Sequence, residues 1–140
     1  MNKIQGFILI FFAAAFLFCG SARAQRGYED FANEENLRIM YRWQRASIFD
    51  RNSDAVLNLR VTNENPSVVV WTYSVAFYKT GMKVYESETY ELCLQEGQSR
   101  RGGLAGLRFT VEDLKLEDVE KDTFDWDFGI FDVEAVEECP

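Results

Sequence analysis

The sequence predicts an all-β chain folded as one antiparallel β-sandwich of about seven strands. Three observations predict it. Apolar residues recur at every second position in short runs, turn-forming residues separate those runs, and no stretch carries the spacing of an amphipathic helix. At 140 residues the chain is long enough for one domain and too short for two. Its 47% hydrophobic and 15% aromatic content provides a core and argues against disorder.

Residues 1–24 read as a leader that does not belong to the fold. Lys3 supplies a positive start, Phe7 to Phe18 form an apolar run, and Ala22-Arg23-Ala24 is a small-x-small cleavage site before Gln25. Twelve apolar residues are fewer than the roughly 20 a membrane-spanning helix needs. The expected product is an exported chain, periplasmic or extracellular, with no membrane span. The alternative is a lipoprotein anchored through Cys19, which Cys19-Gly20-Ser21 suggests and the bulky Phe18 opposes. Cleavage removes two basic residues and no acid, leaving 13 basic against 23 acidic residues, a net charge of −10.

The first mature residues, 25–36, are acidic and weakly apolar. They are expected to form an N-terminal arm, with a helical turn near Asp30 to Glu34, ahead of a sandwich domain over residues 37–140. From Leu37 the period is two: Leu37, Ile39, Tyr41 and Trp43 alternate with Arg38, Met40, Arg42 and Gln44. After the turn cluster Asp50 to Asp54, a second strand alternates Leu57, Leu59 and Val61 with Asn58, Arg60 and Thr62. Asn63 to Pro66 break it, since Pro cannot donate to a ladder and Asn favours turns.

Val68 to Tyr78 form the most aromatic strand, with Trp71, Tyr73, Val75 and Phe77 on one face and Thr72, Ser74, Ala76 and Tyr78 on the other. Gly81 allows the turn that follows. One strand is expected from Val84 to Leu94, Gln95 to Gly103 as a polar loop, and a further strand from Leu104 to Val111. In the last segment Phe124, Trp126 and Phe128 are apolar at even positions, whereas Phe131, Val133 and Ala135 are apolar at odd ones. A one-residue shift exchanges the two faces, so a β-bulge at Gly129-Ile130 is expected to keep both halves on the core.

The mature chain keeps two cysteines, Cys93 and Cys139. In an oxidising compartment an even count predicts a disulfide, here pinning the C-terminal tail. Cys93 falls on the polar side of its strand, which puts the bond on a face or edge of the sheet and not in the core. No Cys-x-x-Cys motif suggests redox or metal chemistry.

Charge and composition also exclude functions. A strongly acidic chain gains nothing from phosphate contacts, so nucleic acid is not an expected partner. The absence of His removes the commonest general base and metal ligand. No serine lies in a nucleophile motif, and no glycine loop is shaped for phosphate. Neither catalytic residues nor a cofactor nor a metal ligand set is therefore assigned. Asp125, Asp127, Asp132 and Glu134 form an acidic strand face, read as solvated or paired with Arg38, Arg42 or Arg60. The alternative reading makes it a calcium- or carbohydrate-binding surface.

Trp43, Trp71, Trp126, Tyr73 and Phe124 are assigned to the core. Tyr78 and Tyr85, which flank the Gly81 turn, and the Arg100-Arg101 pair are the candidate partner contacts.

Val61-Thr62-Asn63-Glu64-Asn65 and Tyr73 to Val84 (YSVAFYKTGMKV) resemble small exported FxLYD-type and related immunoglobulin-like β-sandwich domains. The likeness spans about a third of the mature chain, and Lys79 stands where an acidic turn residue is more usual. The resemblance implies an immunoglobulin-like sandwich and a non-catalytic envelope module with no active site to carry over. The resulting expectation is an accessory subunit of the bacterial cell envelope that is not an enzyme and contacts another envelope protein.

Overall fold

The computed structural model describes residues 27–140. The expected leader, with Cys19, and the first two residues of the expected arm lie outside the described residues. In chain order the strands are β1 (Glu29–Glu34), β2 (Leu37–Arg45), β3 (Ala55–Asn63), β4 (Val68–Lys79) and β5 (Met82–Glu86). They continue as β6 (Tyr90–Leu94), β7 (Ser99–Arg101), β8 (Arg108–Thr110) and β9 (Phe124–Val136), with a one-turn helix, α1 (Leu116–Val119), before β9. Two antiparallel sheets pack as a sandwich. Sheet A runs β1-β2-β3, with β7 and β8 both on the far side of β3. Sheet B is built around β4, which pairs with β9 on one side and with β6 and β5 on the other.

The period-two runs meet between the sheets. Leu37 and Ile39 of β2, Leu57, Leu59 and Val61 of β3, and Trp71, Tyr73, Val75 and Phe77 of β4 are buried together. Rings join the layers: Phe31 stacks on Trp126 at 4.1 Å between centroids, Tyr41 lies 5.5 Å from Trp126, and Trp43 lies 5.5 Å from Phe77. Burial of this apolar surface at about 25 cal/mol per Å² is the main stabilising term.

Nine strands replace the expected seven among the described residues, and the differences have local causes. Residues 29–34 are an edge strand and not an arm with a helical turn. Glu35 (φ 49°) and Asn36 (φ 57°) make a two-residue hairpin turn that lays β1 along β2. Positive φ at both central residues gives the twist that such hairpins need. The single expected strand from Val84 to Leu94 is two, β5 and β6, which leave β4 at different points; Ser87 Oγ accepts a hydrogen bond from the Val75 N–H at 2.9 Å in the gap. The loop expected over Gln95 to Gly103 contains β7, and a 3-10 turn at Gly103–Ala105 separates it from β8.

The expected bulge is present. Ser74 pairs with Ile130 and Val75 with Phe128, so Gly129 is the extra residue. Phe128 and Phe131 thereby face the same side, with rings 5.1 Å apart. A Cβ at Gly129 would sit 2.8 Å from Ser74 Oγ and collide with the Glu86 carboxylate, so the position tolerates no side chain without rearrangement.

The disulfide joins Cys93 and Cys139, with Cα atoms 5.7 Å apart. Cys93 lies opposite Val70 on the outer side of sheet B, outside the core as its parity required. Asn63, fully buried, fastens the same end: its side-chain nitrogen donates to the carbonyls of Ser67, Leu94 and Gln95 at 2.9–3.2 Å. Its oxygen accepts from the backbone N–H of Asn65 at 3.0 Å.

Candidate functional site

The expected tyrosine contact pair is divided by the sheet. Tyr78 faces outward from β4, opposite Lys83 and Asp125. Tyr85 faces the core, where its ring lies 5.2 Å from Phe77. A register shift between Phe77 and Tyr78 separates them, so they do not form one surface. Arg100 and Arg101 divide in the same way. Arg100 stands opposite the buried Val61 and is half-buried, while Arg101 stands opposite Arg60 on the outer face. Among the aromatics assigned to the core, Trp71, Tyr73 and Trp126 are buried, and Trp43 and Phe124 are half-buried at its edge.

The outer face of sheet B is acidic. Glu134, Asp132, Asp127 and Asp125 of β9 stand opposite Val70, Thr72, Ala76 and Tyr78 of β4. On the other side of β4, Glu91 is opposite Thr72, and Glu86 is opposite Ala76. The small residues of β4 thus form a floor with carboxylates along both flanks. Glu86 is held low in its carboxylate range, chiefly by the Lys83 ammonium at 2.7 Å and further by the Ser74 hydroxyl at 3.2 Å. Asp125 and Asp127 accept hydrogen bonds from the backbone N–H groups of Trp126 and Phe128. Among the described residues no three His, Cys, Asp or Glu side chains converge as a metal site. Strand spacing explains this, since alternate residues on a strand are nearly 7 Å apart.

The pairing of this stripe with Arg38, Arg42 or Arg60 does not occur, because those arginines lie on the opposite side of the molecule. Arg38 instead bonds Asp30 of β1, at 2.9 Å. The outer face of sheet A is basic. Its rungs follow from the register: Arg38 opposite Thr62 and Thr62 opposite Ser99; Met40 opposite Arg60 and Arg60 opposite Arg101; Arg42 opposite Asn58 and Asn58 opposite Arg108. The Arg42 guanidinium lies 4.7 Å from the centre of the Tyr28 ring. A groove of about 710 Å³ is lined by Arg42, Gln44, Arg45 and Arg108, with Trp43 and Leu116 at its side and the acidic Glu29 and Glu120 also on its wall.

Sequence reasoning placed Asn58, Arg60 and Arg42 on outward positions but not beside Arg101 and Arg108. Those neighbours come from β7 and β8, and nothing local in the sequence announces that both pair with β3. Among the described residues no helix is long and apolar enough to cross a membrane. Compared with known proteins, the chain matches no family model, no curated protein and no solved structure, so what the two faces do rests on their own chemistry.

Proposed function

We propose that the chain is a non-catalytic, exported, immunoglobulin-like sandwich that acts as an accessory subunit in the bacterial cell envelope, binding another envelope protein through its sheet faces. The observation that carries this reading is the segregation of charge: the outer face of one sheet gathers arginines and that of the other gathers carboxylates. Facing charges of one sign steer association and select partners of the opposite sign. The cysteine pair fits an oxidising compartment, and the leader-like residues 1–24 fit export.

Photo-crosslinking in the producing cells, with reactive groups at Thr62 on sheet A and Thr72 on sheet B, tests the reading. The expected result is a discrete crosslinked product to another protein from at least one face. That product should fade when the charges of the same face are reversed. The absence of any such product from both faces would refute the proposal.

A further inference from the structure

Two neighbouring rungs of sheet A hold hydrogen-bond donors, on Asn58 in one and on Arg60 and Arg101 in the other, that no acceptor among the described residues answers. In one, Asn58 stands between Arg42 and Arg108, and both arginines line the same groove although β3 runs between them. Asn58 is 5% exposed, and its side-chain nitrogen has no hydrogen-bond partner among the described residues. In the next rung Arg60 and Arg101 are directly opposite each other, and among the described residues neither makes an ion pair. Both features oppose stability. An orphaned buried donor costs about 1–3 kcal/mol, and like charges directly opposite in a sheet repel. The chain holds 23 acidic residues, yet the one carboxylate that the register places on these rungs, Asp30 opposite Met40, is taken up by Arg38 at 2.9 Å and pairs with neither Arg60 nor Arg101.

We propose that this face binds an acidic, extended segment of a partner protein, with carboxylates seated on the Arg60/Arg101 rung and on the Asn58/Arg108 rung. The inference rests on the reading of the chain as an interaction module and adds the chemistry of the partner. The rungs are two residues apart along β3, nearly 7 Å. That is the spacing of side chains i and i+2 of a second extended chain, so the recognised pattern is acid-x-acid. Guanidinium groups suit carboxylates because they donate in a planar fork, and charge-assisted bonds of this kind are the strong ones.

Fluorescence anisotropy with two labelled peptides of equal composition tests the proposal on the mature, oxidised protein. One peptide alternates Glu and Thr over eight residues; the other carries four Glu followed by four Thr. The alternating peptide is expected to bind about tenfold more tightly, the factor that corresponds to one charge-assisted hydrogen bond. Arg60→Gln with Arg101→Gln should abolish the difference while the circular dichroism stays unchanged. Asn58→Leu should weaken the alternating peptide several-fold while the melting temperature holds or rises, which a purely structural asparagine would not allow. Lys79→Gln with Lys83→Gln, equal in charge but on sheet B, should leave binding within about twofold.

Equal affinity for the two peptides, or equal loss from both charge pairs, would overturn the inference. So would a salt-sensitive dimer broken alike by Arg60→Glu and by Asp132→Lys, which would give the face to a second copy of the chain. Crosslinks from Thr72 alone would leave the interaction module standing and remove this face from it.

Discussion

Asn63 and Asn58 are both nearly or fully buried on β3, five positions apart, and physical chemistry separates them. Asn63 has its nitrogen and oxygen engaged and fastens three chain segments, which makes it structural. Asn58 has a nitrogen that no acceptor among the described residues answers, between two arginines, which makes it a candidate for recognition. Composition does not distinguish them; only the partners do. Tyr73 is the residue on which pH acts most directly. Burial, and secondarily the neighbouring Tyr90, raise its hydroxyl well above the ordinary value of 10.0, and the hydroxyl donates to the Gly106 carbonyl at 2.7 Å. The fold therefore favours the neutral form. This contribution is complete below the unfolded value near 10 and is lost as pH rises above it. The melting temperature is expected to fall between about pH 9 and about pH 12. In Tyr73→Phe that fall should be smaller, although the variant is less stable at neutral pH by about 1 kcal/mol for the lost hydrogen bond. Thermal melts across the alkaline range check this, and identical slopes for the two proteins would remove Tyr73 from the account.

At the scale of elements, legibility depended on whether alternation survived to the end of a run. β2, β3 and β4 were readable because their inward residues are uniformly apolar. β9 was readable despite its change of parity, since a bulge is the simplest way to place Trp126 and Phe131 on one side. β1 was not readable: a register irregularity between Asp30 and Ala32 breaks its alternation, and its one large apolar residue, Phe31, sits at that break. β7 was hidden because three residues, Ser99–Arg101, give too short a pattern, and the adjacent arginines look alike in sequence while facing opposite sides. Tyr85 was misread for a related reason: the irregularity in the β4–β5 pairing changes which face follows the turn. The bulge itself makes a sharp prediction. Pairing skips Gly129, since Ser74 meets Ile130 and Val75 meets Phe128. Deleting Gly129 leaves every remaining pair in register and should cost no more than an ordinary single change, about 0.5–3 kcal/mol. Deleting Asp132 instead turns Val133 and Ala135 outward, and this variant should lose several kcal/mol or fail to fold. Circular dichroism and denaturant melts of the two deletions check the contrast.

The whole molecule is a sandwich with two differently charged outer faces, and its last strand needs a fastening. β9 is hydrogen-bonded to β4 along one side only, which leaves its outer edge without a ladder. Its outward aspartates discourage edge-to-edge pairing but do nothing to hold it on β4. The disulfide supplies that hold: β6 and β9 flank β4 on opposite sides, and the Cys93–Cys139 bond closes the end of that three-strand unit across the β4 strand. With a separation of 46 residues, the loop-closure model assigns about 4 kcal/mol to the crosslink. Reduction should accordingly lower the melting temperature strongly and favour aggregation, because release of β9 uncovers the flank of the aromatic strand β4. Cys93→Ser with Cys139→Ser should reproduce the reduced protein and show no further response to reductant. An unchanged melting temperature after complete reduction, verified by thiol titration, would mean that the β4–β9 ladder and its aromatic contacts hold the tail unaided.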